Sequence, residues 1–195
     1  MHASHLALGY FHPSGLAAHM LQHIIMMNVV APLLALGVRR WLPSTTWRIW
    51  PAATAAQLLL LWGWHAPAVF ESAMGSPALW LLMHGTLLVA ALCFWSAIIS
   101  ASGTRSWRAI FALLITGKLF CLLGALLTFA PRTILAAGPE GAPIDAAAAL
   151  ADQQLAGLIM IVACPLSYVL AGIIVSARWF LALEGEAPDA NPRYS

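Results

Sequence analysis

The sequence predicts an all-α membrane protein, a bundle of five transmembrane helices with the N-terminus outside and the C-terminus in the cytoplasm. Three observations carry that expectation. Of 195 residues, 62% are hydrophobic and only 8% are charged, whereas a soluble domain carries roughly 25% charged residues. Apolar stretches of about 20 residues recur, each long enough to cross a bilayer core. Arginines gather in alternate connections, which assigns each connection a side of the membrane.

The first span is expected from about Ser14 to Gly37, where "GVRRWLPSTTWRIWP" ends the apolar run. The second follows from about Ala52 to Phe70, the third from Pro77 to Ser100, the fourth from Trp107 to Ala130 and the fifth from Leu150 to Leu183. Pro131 to Asp152 is rich in Pro, Gly and Ala and reads as a loop. Residues 1–13 form a flexible lead holding His2, His5 and His12, residues 14–183 the bundle, and residues 184–195 a polar cytoplasmic tail. Arg39, Arg40 and Arg48 lie between spans one and two, Arg105 and Arg108 between spans three and four, and Arg178 at the exit of span five. The other connections hold Glu71 on one side, and Arg132, Glu140, Asp145 and Asp152 on the other. The positive-inside rule then sets the orientation, and Trp41, Trp47, Trp50 and Trp179 fall where an inner interface belt would.

Several function classes lose support at once. A net charge of +2 without a basic cluster argues against nucleic acid as a partner. Cys93, Cys121 and Cys164 sit inside apolar segments without a CxxC pair, so no disulfide framework or thiolate zinc site is expected. The start lacks a basic region followed by an apolar run, so no cleavable signal is expected. No acid–base pair, nucleophile constellation or phosphate loop is visible, and the expected function is non-enzymatic.

The informative residues are polar ones inside the apolar spans. His19 and His23 lie in the outer half of span one, His65 near the outer end of span two and His84 in the outer half of span three. At 1.5 Å per residue each is roughly 7–14 Å below the outer end of its helix. Span five enters from the same side with Asp152, Gln153 and Gln154, and Met160 two turns further in. Four helices thus bring polar side chains to one depth. His19 and His23 are four apart and share a helix face. Met20, Gln22, Met26 and Met27 fall on the same half of that helix, and Gln153 aligns with Met160. Imidazole suits copper, zinc, iron and nickel, and thioether sulfur favours Cu(I). Histidine with methionine and no thiolate, facing an oxidising compartment, leans toward copper.

Plainer readings stand beside this one. An HxxxH pair also joins helices by hydrogen bonds, and methionine is a common packing residue. Asp152 is suited to cap its own helix. Lys118, near the middle of span four, is open to snorkelling or to bonding carbonyls inside the bundle. The shared depth of the histidines, rather than any one of them, carries the metal reading.

At "HMLQH", "APLLALG", "LWGWHAPAVFESA", "MHGTLLVAALCFW", "LLGALLTFAPR" and "DQQLAGLIM" the chain resembles the polytopic CtaG-type cytochrome c oxidase assembly factors. The resemblance runs from about Gly15 to Leu170. It implies a multi-pass protein of the bacterial inner membrane that helps mature a haem–copper oxidase by handling copper, partnered by oxidase subunits or other assembly factors. Self-association is left open. By position the motif residues are His19, His23, His65 and His84, with Asp152, Gln153 and Gln154 at the mouth of span five. Family members often have an acidic residue where Met83 stands, which shifts the ligand set toward sulfur. Longer members carry further spans before the HxxxH helix, so a short form is implied.

The combined expectation is a copper site facing the periplasm. Its ligands are drawn from His19, His23, His65, His84, Met20, Met27 and Met160, supported by Asp152, Gln153, Gln154 and Met83. Two other functions compete with it. One is a haem-binding electron carrier with axial histidines from two helices, and the other is a transporter of copper or another small solute.

Overall fold

The computed structural model describes residues 15–135 and 145–185. The expected lead with His2, His5 and His12, most of the loop with Glu140, and the tail beyond Gly185 lie outside the described residues. Everything described is helix or short connection. The described residues begin with α1 (Leu16–Ile25), a π-helical turn over Met26–Val30, and α2 (Ala31–Val38) in one continuous rod. Two single turns of 3₁₀-helix lead to α3 (Trp50–Trp64) and the short α4 (Pro67–Met74). Then come α5 (Pro77–Ser100), α6 (Ser106–Phe129) and the long α7 (Ala146–Gly185).

Four stretches among the described residues are helical, long and apolar enough to cross a membrane: Leu16–Trp41, Pro77–Ser100, Gly103–Phe129 and Ala146–Glu184. The second expected span differs. It breaks after 15 residues, at Trp64, because Pro67 forces the residue before it out of the helical region. Ala66 is accordingly extended, with φ −66° and ψ 131°, and the chain restarts as α4. The fifth helix also begins earlier than expected. The alanine run Ala146–Ala149 is helical rather than loop, and the Asp145 carboxylate accepts a hydrogen bond from the Ala147 N–H at its start.

The α6–α7 pair is the most intimate contact. A Cβ on Gly157 would lie 2.5 Å from the Gly124 carbonyl oxygen and 2.7 Å from the Thr128 nitrogen. Only glycine lets the two backbones come this close, which is how membrane helices gain packing where lipid offers no hydrophobic drive. The α1 helix lies against α7, α2 against α5, and α3 against α5 and α6. In mid-bundle Gln57 of α3 donates to the Tyr168 hydroxyl of α7 at 2.9 Å, both buried. Tyr168 stacks on Trp95 with centroids 5.7 Å apart and planes 6° from parallel. Lys118 is exposed on the outside of the bundle, so its bonding to carbonyls inside is not what the structure shows.

The connection that holds Arg39, Arg40 and Arg48 and the one that holds Arg105 meet at one end. Arg105 and Arg108 both stand over the Trp47 ring, 4.8 and 4.9 Å from its centroid. From that end α3 runs toward the histidines.

The π-turn has an identifiable cause. Pro32 has no N–H, so the carbonyl four or five residues back loses its donor. The Ala31 N–H already bonds the Met26 carbonyl in the i→i+5 register, and the next bond would join residue 32 to the Met27 carbonyl. Trp95 supplies the missing donor: its indole N–H bonds the Met27 oxygen at 2.8 Å. The wider turn also places Met27 and Asn28 both inside, two neighbours that an α-helix would aim 100° apart.

This arrangement predicts a double-mutant cycle. Trp95→Phe strands a buried carbonyl and should cost about 1–3 kcal/mol, read as a lower melting temperature in detergent. Adding Pro32→Ala restores a backbone donor and should recover part of that loss. Equal, additive losses from the two changes would show that the indole does not serve the proline gap.

Candidate metal centre

Each expected histidine is buried, with His19 1%, His23 3%, His65 4% and His84 7% exposed, in a layer that membrane proteins reserve for paired or functional polar groups. The four rings form one cluster. His23 and His84 stack at 4.5 Å between centroids, His19 meets His84 at 5.5 Å and His65 at 6.3 Å, and His23 meets His65 at 5.6 Å. The i, i+4 pair on α1 is closed by an Nε2···Nε2 contact of 2.8 Å. The ligand atoms of His19, His23 and His65 all lie within 4.8 Å of one another.

Two of the rings have their tautomers fixed by their own helices. His65 Nδ1 is 2.7 Å from the Leu61 carbonyl and His84 Nδ1 is 2.8 Å from the Trp80 carbonyl. A carbonyl only accepts, so both Nδ1 atoms carry the proton and both Nε2 atoms of the neutral rings carry a lone pair. A backbone acceptor behind the ring is the usual support of a metal-ligating histidine. His65 Nε2 and His23 Nδ1 are buried without a hydrogen-bond partner among the described residues. Buried nitrogens left so are costly, and a bound ion would satisfy the lone pair of His65.

Aromatic walls hold the cluster. Phe70 of α4 lies edge-on to His19 at 5.3 Å and face-to-face with His65 at 5.9 Å. The Trp80 ring covers His84 at 3.9 Å. The break at Pro67 is what brings Phe70 back over the imidazoles. Sequence reasoning missed both residues. Trp80 was findable one turn before His84, whereas Phe70 depends on a bend whose angle the sequence does not specify.

The other expected residues separate into two roles. Met20, Met27 and Met160 are buried, and with His23 they wall a small cavity of about 10 Å³ that also touches Cys164 and Asn28. They adjoin the imidazoles through His23. Met83 is fully buried but is not part of that wall. Gln153 builds structure instead. Its carbonyl oxygen accepts from Ile134 N at 2.5 Å and Leu135 N at 3.0 Å, and its amide donates to the Leu127 and Arg132 carbonyls. It ties the exit of α6 to α7. Gln154 is half-buried and, among the described residues, shares no hydrogen bond with the cluster.

Asp152 is a correction. It caps not its own helix but α1. Its carboxylate accepts from Leu16 N at 2.5 Å and Ala17 N at 3.3 Å, where free N–H groups and the positive end of the helix dipole favour an anion. Gly15 makes this approach feasible. Its φ is 111°, and a Cβ there would lie 2.9 Å from the Asp152 oxygen. The cap fixes the first turn of the helix whose next turn carries His19.

The cytochrome c oxidase caa3 assembly factor family (Caa3_CtaG) has a family model that matches residues 1–182. The chain belongs to that family. No curated protein and no solved structure matches it. As a caa3 oxidase assembly factor it has a membrane-embedded imidazole cluster on α1, α3 and α5, braced by α4 and α7.

The cap can be tested by substitution. Asp152→Ala leaves two N–H groups of α1 uncapped and should cost about 0.5–2 kcal/mol. Asp152→Asn keeps an acceptor and should lose less. Thermal melts followed by circular dichroism in detergent measure both. Equal loss from the two would deny the carboxylate–helix contact.

Proposed function

We propose that this assembly factor binds copper through His19, His23, His65 and His84 and hands it to the oxidase during maturation. The observation that carries the reading is the pair of helix-fixed tautomers. His65 holds its Nε2 lone pair in the group whose ligand nitrogens, with those of His19 and His23, lie within 4.8 Å of one another, and the His84 ring stacks on His23 beside them. Such an arrangement takes a borderline ion of the zinc or copper kind, and the thioethers that adjoin it favour copper. Delivery requires ligands that exchange. Neutral imidazoles drawn from three helices bind through single lone pairs. The rings of His19 and His23, joined to each other where those of His65 and His84 are tied to backbone carbonyls, are the ones that turn to release an ion. The haem reading fares worse: the rings lie 4–6 Å apart, and the cavity beside them holds about one water, far less than a macrocycle.

The orientation belongs to the same reading. Two arginine-rich connections, one with Arg39, Arg40 and Arg48 and one with Arg105 and Arg108, lie at one end against Arg132 at the other, so the positive-inside rule puts the richer end in the cytoplasm and the imidazoles near the periplasmic face of a bacterial inner membrane. The α3 helix supplies the fifth crossing. Its start is placed at the arginine end by the Trp50–Phe111 contact, 6.2 Å between centroids, and its last turn reaches the histidine layer. At about 22 Å it is shorter than a 30 Å hydrocarbon core, and α4 completes the passage. A C-terminal fusion should then be active with a cytoplasmic reporter and silent with a periplasmic one. The opposite pattern removes the fifth crossing.

The copper reading is tested in cells and on purified protein together. His19→Ala, His23→Ala and His65→Ala should accumulate at near-normal levels, because backbone bonds and apolar faces hold the helices. They should bind less copper when purified, and the cells should hold oxidase with deficient copper-dependent activity that added copper partly restores. Normal amounts of these variants alongside fully active oxidase would leave the histidines as packing groups and the reading without a site.

A further inference from the structure

The cavity beside the imidazoles is walled by Met20, Met27, Met160 and Cys164, together with His23 and Asn28. We propose that it is a second copper station, selective for Cu(I), adjoining the imidazole cluster and sharing His23 with it. This rests on the reading of the chain as a copper handler and adds a site of different chemistry.

Four sulfur side chains converge there from two helices. Met20 and Met27 stand three before and four after His23 on one helix face, and Met160 and Cys164 are four apart on α7. Packing methionines adapt until they close gaps, yet here a void of about 10 Å³ remains at their meeting point, room for one small ion. Asn28 adds a further polar group. The π-turn brings it inward, where its buried amide meets no nitrogen or oxygen partner among the described residues and bonds the Cys164 sulfur instead. An amide kept at this depth on so weak a partner is one that a cavity occupant would bind.

The donor set selects the ion. Thioethers are neutral and soft and bind Cu(I) in preference to zinc or Cu(II). Cys164 makes the exchange charge-neutral. When Cu(I) forms its bond to sulfur the thiol proton leaves for bulk water, so one positive charge replaces another and the hydrocarbon interior gains none. His23 touches both stations. An ion held by sulfur passes to the imidazoles by exchanging thioether and thiolate for imidazole while His23 stays bound, and Cys164 takes a proton back from water.

The experiment uses the full-length protein in detergent, titrated anaerobically with Cu(I) against a competing chelator, with coordination read by X-ray absorption. Wild type should bind two ions with separate nitrogen-rich and sulfur-rich shells. The Met27→Leu, Met160→Leu, Cys164→Ala variant, nearly volume-conserving at the two methionines, should keep one ion with a nitrogen-only shell. The His19→Ala, His65→Ala variant should keep one sulfur-bound ion. Should the triple variant melt early, Cys164→Ala alone must lose one sulfur scatterer. A single ion with a mixed shell in wild type, or an unchanged stoichiometry and spectrum in the sulfur variants, overturns the proposal. Sulfur-bound copper without nitrogen-bound copper would overturn the imidazole reading and leave the sulfur station standing.

Discussion

Backbone groups that lose their helical partners have no water to turn to inside a bilayer, and the arrangement of this bundle follows from how they are satisfied. The N–H groups at the start of α1 are met by Asp152 of α7. The Met27 carbonyl stranded by Pro32 is met by Trp95 of α5. The carbonyls and N–H groups where α6 unwinds are met by Gln153. Each repair joins a helix to a different part of the chain, so the same bonds that avoid unpaired groups also set which helices touch and at what register. The imidazole layer depends on this. Asp152 and Trp95 hold the His19–His23 helix at both ends of its polar half.

The histidines use the same device in reverse. His65 and His84 donate from Nδ1 to carbonyls of their own helices, and this turns the opposite nitrogen of each ring toward the bundle interior. In water such a bond would compete with solvent and fix little. In hydrocarbon the alternative is an unsatisfied N–H, so the tautomer is strongly held. A backbone acceptor four residues back thereby decides which nitrogen of each ring carries the proton and which the lone pair.

Much of this was legible in the sequence because its cues are one-dimensional. Apolar length marked the long helices, and counting from the helix ends brought His19, His23, His65 and His84 to one depth. What failed were features set by two chain segments at once. Asp152 sits early in its helix and reads as that helix's own cap. Only the close approach of α1, permitted by Gly15, makes it the cap of another. Gln153 aligned with Met160 by period, yet its amide is used up by the loop beside it. Pro67 was visible, but the direction it sends Phe70 was not. Cys164, without a paired cysteine, gave no metal signal until α1 and the π-turn placed Met20 and Met27 in one wall with it.

The π-turn links these levels. Pro32 removes a donor, the helix widens by one residue, and the widening turns Asn28 inward below His23 and beside Met27. A straight α-helix would bury Met27 and leave Asn28 pointing toward α-helical neighbours or lipid. The local backbone defect is thus what brings Asn28 into the wall that Met20, Met27, Met160 and Cys164 share with His23. Under the proposed copper reading that arrangement has a chemical use: nitrogen and sulfur donors differ in softness, and His23, which adjoins both groups, would let an ion pass from one set to the other.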